Sequence, residues 1–144
     1  MSYLIHSILP QPRRPIAIVH PDVSVAQCVD MMVQDDIGAL VVSDDINMLG
    51  IVSERDIVRA LVYKGLPAET TTAADILYSE VSVLAPHDTV EKAMQIITYT
   101  KRRHILVAEE GSLIAIISIG DILLKLLEDK AQVIEQLENY IHTY

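Results

Sequence analysis

The chain has 144 residues, 51% of them hydrophobic, with 20 acidic residues against 11 Lys and Arg for a net charge of -9. That length fits one compact domain or two half-domains sharing a core, and the acidic balance excludes a general nucleic-acid binder, which needs a broad basic face against the phosphates. The one cysteine, Cys28, excludes an intramolecular disulfide and a Cys-rich metal site, and the absence of Trp and Phe leaves Ile, Leu, Val and Met to fill the core.

The N-terminal "MSYLIHSILPQPRRP" has too short an apolar run for a secretory signal, and its basic pair follows that run. "YLIHSIL" reads as a short helical lead-in and Arg13-Arg14 as loop. A short strand "IAIV" (16–19) precedes "PDVSVAQCVDMMVQDD" (21–36), where apolar residues at 25, 28, 29 and 32 recur at helical spacing behind Ser24, an N-cap. Cys28 sits in that stripe and reads as a buried, inert thiol. Strand "GALVVS", turn "DDINM" and strand "LGIVS" lead into a helix at "ERDIVRALVYKG" (54–65). "GLPAETTT" (65–72) reads as a hinge, and "TAADIL" as a second lead-in capped by Thr71 or Thr72.

The same series then recurs: "VSVL" (81–84), a helix from "PHDTVEKAMQIITYT" capped by Thr89, strand "HILVAE", turn "EGS", strand "IAIIS" and a helix from "GDILLKLLEDK". Pro21 aligns with Pro86, Val42 with Val107, Ser53 with Ser118, Asp56 with Asp121 and Leu61 with Leu126, a constant offset of 65 with no gap. The fold class expected is α+β: two βαββα units packed with approximate two-fold symmetry, plus a C-terminal helix. In chain order the divisions are 1–64, a linker over 65–72, 73–127, and a helix over 128–144. The apolar stretch 112–127 is shorter than the ~20 residues that span a bilayer and is interrupted by Asp121 and Lys125, so a cytoplasmic protein with no membrane contact is expected.

The repeated element is a strand that ends at Ser53 or Ser118 and runs directly into a helix. The first turn of a helix carries unpartnered N–H groups and partial positive charge, which suit phosphate. A Ser hydroxyl can donate to the same phosphate, and Asp56 or Asp121, one turn on, can accept from the two hydroxyls of a ribose. Arg55 lies in the first turn of the first copy, and Gly120 leaves the backbone open in the second. The same Ser-x-x-Asp pattern also serves as a plain helix cap, and both readings stand at this point. "KRRH" (101–104) is the densest basic cluster; Arg103 and His104 either reach a phosphate or form a solvated helix end, while the first copy has "DIGA" in that place.

"GIVSERDI" (50–57) matches the pattern G-h-h-[ST]-x-x-D (h apolar) in full, and "AIISIGDI" (115–122) departs from it at Ala115. With "PDVSVAQCV", "RRHILV" and "TTAADIL", these segments resemble the cystathionine-β-synthase-type (CBS) domain over roughly residues 3–127. The resemblance implies a free-standing tandem CBS pair with two clefts for adenine-containing ligands such as AMP, ADP, ATP, NAD(H) or S-adenosylmethionine, with AMP and NAD(H) favoured over the last. It implies Ser on phosphate, Asp on ribose, and the base held by the first strand: Ile16, Ala17 and Ile18 in the first copy, Val81, Ser82 and Val83 in the second. It further implies a regulatory sensor that modulates a protein partner or its own assembly. An enzyme acting on the bound nucleotide and an interaction subunit with degenerate clefts are the alternatives.

The five histidines are scattered, with no HxxxH spacing for a metal, and Asp35-Asp36 and Asp44-Asp45 fall in turns, so no catalytic group is expected. Beyond the second copy, Leu123, Leu127, Ile134, Leu137 and Ile141 recur at three- and four-residue steps, with Lys130 in the one gap. That heptad-like seam, together with the disc-like pairing common in the family, gives the expectation of a homodimer to which this helix contributes.

Overall fold

Both long helices of the repeats begin at the caps marked in the sequence. In α1 (Val25–Asp35) the Ser24 hydroxyl accepts from Gln27 N–H at 3.1 Å, and the Gln27 side chain accepts from Ser24 N–H at 3.3 Å, a reciprocal box that satisfies two otherwise orphaned donors. Its counterpart, Val90–Thr100, is capped by Thr89, whose hydroxyl accepts from Lys92 N–H at 3.1 Å. Both end the same way: Asp36 and Lys101, 65 positions apart, adopt left-handed backbone at φ 52° and 60°, which closes the last turn and turns the chain toward the next strand.

This is a computed structural model, and it describes residues 3–10, 12 and 14–143; Arg13 lies outside them. The α+β expectation holds. One three-stranded sheet has the order β1 (Ile18–Val19), β2 (Ala39–Ser43), β3 (Met48–Ser53), and the other has the order β4 (Val83–Leu84), β5 (His104–Glu109), β6 (Ser112–Ser118). In each, the first strand runs parallel to the second and the second antiparallel to the third. The first strands are shorter than the sequence implies, two residues rather than four. After β3 come α2 (Glu54–Ile57), continued by a π-helical turn over Val58–Tyr63, and α3 (Ala73–Ile76). With α4 as the Val90–Thr100 helix, α5 spans Ile119–Thr143 without a break, so the second-repeat helix and the C-terminal helix are one element.

The chain divides by contact into two compact units, Pro15–Val81 and Met1–Arg14 with Ser82–Tyr144. The lead-ins have therefore changed places relative to chain order. The N-terminal one, a 3-10 turn over Ile5–Ile8, belongs with the second repeat: Tyr3 O accepts from Val90 N–H at 2.7 Å, Ile5 N–H donates to Asp88 O and His6 N–H to Pro86 O, both at 2.9 Å. The lead-in at α3 belongs with the first repeat, where Thr71 O accepts from Val25 N–H and Ala73 N–H donates to Val23 O, both at 2.8 Å. Thr72 caps α3, its N–H donating to Asp75 at 2.9 Å. The physical reason is the same in both units. The first turn of α1 or α4 has free N–H groups, and the passing lead-in supplies a carbonyl. The 65–72 stretch, expected as a hinge, is tied down by this role: Ala68 O accepts from Ala26 N–H at 2.9 Å and Thr71 is buried.

Each unit has its own apolar cluster. In the Pro15–Val81 unit Val19, Cys28, Met32, Leu40, Val42, Val52 and Ala73 pack together; burial raises the Cys28 thiol pKa, which keeps it protonated. In the other, Ile5, Leu84, Val90, Ile97, Ile105, Val107, Ile117 and Ile122 form the center, with Ile119 and Leu126 of α5 against it. The Tyr3 hydroxyl donates to the Asp129 carboxylate, an arrangement that raises the tyrosine pKa and ties the N-terminal segment to α5. Leu123, Leu127 and Ile134 are exposed on α5; Leu137 and Ile141 lie outside the described side chains.

Candidate functional site

In both units the Ser-x-x-Asp motif sits where the last strand of the sheet becomes a helix. At the end of β3, Ser53 N–H donates to Asp56 Oδ2 at 2.9 Å and Asp56 N–H to Ser53 Oγ at 3.4 Å. At the end of β6, Ser118 N–H donates to Asp121 Oδ2 at 2.8 Å and Asp121 N–H to Ser118 Oγ at 3.1 Å. The plain-cap reading of the motif is thus correct as far as it goes: each Asp closes a box on its Ser. The first helical N–H of each is fastened to the neighbouring strand, Glu54 N–H to Gly38 O at 3.1 Å and Ile119 N–H to Arg103 O at 2.9 Å. These two carbonyls were not singled out in the sequence. They fix the angle at which each helix leaves its sheet, and the constant offset between 38 and 103 was the one signal for them.

The sheet register decides which predicted residues meet. Ser53 pairs across the antiparallel ladder with Ala39, and Ser118 pairs with His104. Paired residues project from the same face of a sheet, so His104 stands beside Ser118. Arg103, whose carbonyl anchors α5, has an exposed side chain. Gly120 is exposed in the first turn of α5, and a Cβ there would meet only Ser118 Oγ within 4 Å, at 3.5 Å. Arg55 is likewise exposed on α2.

The first strands lie at the edge of each sheet, one strand removed from the motif. Ala17 O and Ser82 O each accept a hydrogen bond at 3.0 Å, from Val41 N–H and Leu106 N–H. In the parallel ladder the intervening residues, Ile18 opposite Val41 and Val83 opposite Leu106, turn their own N–H and C=O away from the sheet. Those edge groups stand about 10 Å from the motif strand, two inter-strand spacings. Continuing the register places Ile16 in line with Ala39 and Ser53. The same continuation places Val81 in line with His104 and Ser118.

Elsewhere, a shallow groove of about 380 Å³ is lined by Leu4, His6, Pro86, His87 and Glu109 at the far end of β5 from Ser118. Among the described residues no cluster of three His, Cys, Asp or Glu could hold a metal ion, and no helix is long and apolar enough to cross a membrane.

Two βαββα units, each with a Ser-x-x-Asp box at its strand-to-helix junction and an open-edged first strand, define a class of small tandem-repeat modules. The chain belongs to the CBS-domain family, whose model matches residues 5–63 and again 73–128. It is 31% identical over 125 residues to the mitochondrial CBS domain-containing protein CBSX3 of Arabidopsis thaliana, covering 83% of this chain and 61% of that protein's length. Among solved structures it resembles a CBS-domain-containing protein of Agrobacterium tumefaciens, at 32% identity and a TM-score of 0.80 over 85% of this chain and 98% of that one. A protein with CBS domains from Burkholderia ambifaria gives 30% identity and a TM-score of 0.82, over 90% and 96% of the two chains. Tandem CBS pairs of this kind are generally regulatory and often bind nucleotides.

Proposed function

We propose that the protein is an adenine-nucleotide-responsive regulatory module that binds AMP, ADP, ATP or NAD(H). The observation that carries this reading is the geometry at Ser118 and Asp121, a hydroxyl and a carboxylate held together at the start of a long helix with His104 paired beside them. Helix start, hydroxyl and imidazole suit a phosphate; the carboxylate suits ribose hydroxyls. The outward N–H and C=O of an edge residue such as Val83 offer one donor and one acceptor, which complements the N6 and N1 edge of adenine. S-adenosylmethionine ranks lower because it brings a cationic sulfonium and no phosphate to a site with basic residues beside it.

The module acts by shifting a conformational or partner equilibrium rather than by turnover, and consumption of nucleotide by the purified protein would refute that half of the reading. Calorimetric titration tests the rest. Asp121→Ala is expected to weaken AMP by about ten- to 150-fold, the equivalent of roughly 1.5–3 kcal/mol for hydrogen bonds to a charged group. Arg103→Ala is expected to weaken AMP more than adenosine: its carbonyl holds the first N–H of α5, and a guanidinium that reaches the phosphate from there discriminates by charge. Unchanged affinities in a folded Asp121→Ala protein would sink the assignment.

The same reading includes a homodimer. On α5, Ile119, Ile122 and Leu126 pack inward while Leu123 and Leu127 remain 46% and 63% exposed. Val58 and Val62, at the matching positions of the first repeat, are also exposed. A repeated apolar stripe turned away from each unit's own cluster favours burial against a second copy.

A further inference from the structure

We infer that the two copies of the motif have separated in role: Ser53–Asp56 is a closed structural latch, and each chain holds one nucleotide, at Ser118–Asp121. The inference rests on the nucleotide reading above and adds its stoichiometry.

In the first copy the Ser53 hydroxyl donates to Asp56 Oδ2 at 2.8 Å, and that same oxygen accepts the Ser53 N–H at 2.9 Å. Both residues are only 7% exposed. The hydroxyl proton that a phosphate would need is therefore given to the carboxylate, and the carboxylate that a ribose would need is buried and engaged. A ligand would have to break a buried, charge-assisted hydrogen bond before making its own.

The second copy lacks that closure. Ser118 and Asp121 are partly exposed, and the bonds between them use only the two backbone N–H groups, 2.8 and 3.1 Å, so the Ser118 hydroxyl proton is not committed to Asp121. The surroundings differ in the same sense. Where the first copy places Ile37, Gly38 and Ala39 ahead of its motif, the second places Arg102, Arg103 and His104, and the residue paired with the serine changes from Ala39 to His104. In the first turn of the helix Arg55 is replaced by Gly120, where the backbone is open to approach. The second copy gives up the Arg55 charge at Gly120 but gains two arginines and a histidine ahead of its motif and loses the acidic Glu54 to Ile119, so the balance favours an anion there.

The test is calorimetric titration of the full chain with AMP, joined to thermal melts. One AMP per chain is expected, and Asp121→Ala or Ser118→Ala should reduce binding at least tenfold with no second, unaffected class of sites. Two AMP per chain, or one unaffected site remaining in those variants, would overturn the latch while leaving the nucleotide reading standing. No AMP binding by the wild-type chain would overturn both. The melts provide a readout independent of ligand. Ser53→Ala should lower the melting temperature by roughly 3–10 °C, the cost of a buried bond to a carboxylate in a chain of this size, and clearly more than Ser118→Ala does. Equal shifts for the two serines would contradict a special structural role for the first.

Discussion

Gly50 and Ala115 occupy the same position of the two repeats, and exchanging their residue types should have unequal consequences. Gly50 lies in β3 directly under the chain leaving α3. A Cβ built there would overlap the Tyr78 carbonyl oxygen and come within 2.9 Å of Leu77 Cδ1. That crossing is held by a reciprocal pair, Ile51 N–H to Tyr78 O at 3.0 Å and Tyr78 N–H to Ile51 O at 2.8 Å. In the second unit the lead-in contacts run at an offset of 68, Ile5 corresponding to Ala73 and His6 to Ala74, so the counterpart of Tyr78 is Pro10. Proline has no N–H and cannot make the reciprocal pair, and Ala115 is tolerated there. Gly50→Ala must therefore displace backbone rather than a side-chain end. Loss of two backbone hydrogen bonds at about 1 kcal/mol each, with about 1–3 kcal/mol of overpacking strain, gives a destabilization on the order of 3–5 kcal/mol. Ala115→Gly should cost only about 0.5–1 kcal/mol, the backbone-entropy penalty of an interior glycine. Urea unfolding followed by circular dichroism measures both. A Gly50→Ala protein within 0.5 kcal/mol of wild type, or an Ala115→Gly protein equally damaged, would refute the argument.

Three further outcomes are expected. Asp36 combines a left-handed backbone with a negative charge at a helix C-terminus, both unfavorable, so Asp36→Gly should stabilize the protein by about 1 kcal/mol in the same urea assay. Asp88 accepts from Ala85 N–H at 2.8 Å and pairs with Lys92 at 3.3 Å; the backbone bond, more than the lysine, lowers its pKa. A carboxyl lowered on folding contributes stability above its unfolded pKa of about 3.9 and loses it as pH falls through the folded value; the acid limb of a stability–pH curve below about pH 4 should therefore flatten in Asp88→Asn, and an unchanged limb would assign it elsewhere. Leu123→Glu with Leu127→Glu places charge on the exposed face of α5 without touching Leu126, which packs inward; light scattering should report a monomer, and a retained dimer mass would remove this face from the contact.

The features legible from the amino-acid order alone are those that depend on neighbours along the chain. The helical spacing behind Ser24 and Thr89, the caps themselves, the strand-turn-strand order and the position of both Ser-x-x-Asp motifs at strand-to-helix junctions are local properties, and repetition at a constant offset of 65 reinforced each of them. The fold class followed, because each short unit of strands and helices needs a partner to bury its apolar residues. Tertiary structure decided the rest. Only packing shows that each lead-in supplies carbonyls to the helix of the other repeat's unit, since that choice rests on which helix start lies within hydrogen-bond reach and not on chain order. Only packing explains why the motif's glycine is kept at Gly50 and lost at Ala115. Ser53 and Ser118 are the same letter in the same pattern, yet the first is buried with its hydroxyl donated to Asp56 and the second is partly exposed beside His104. Burial and cross-strand pairing are set by residues distant in sequence, and they separate two motifs that local pattern alone makes equivalent.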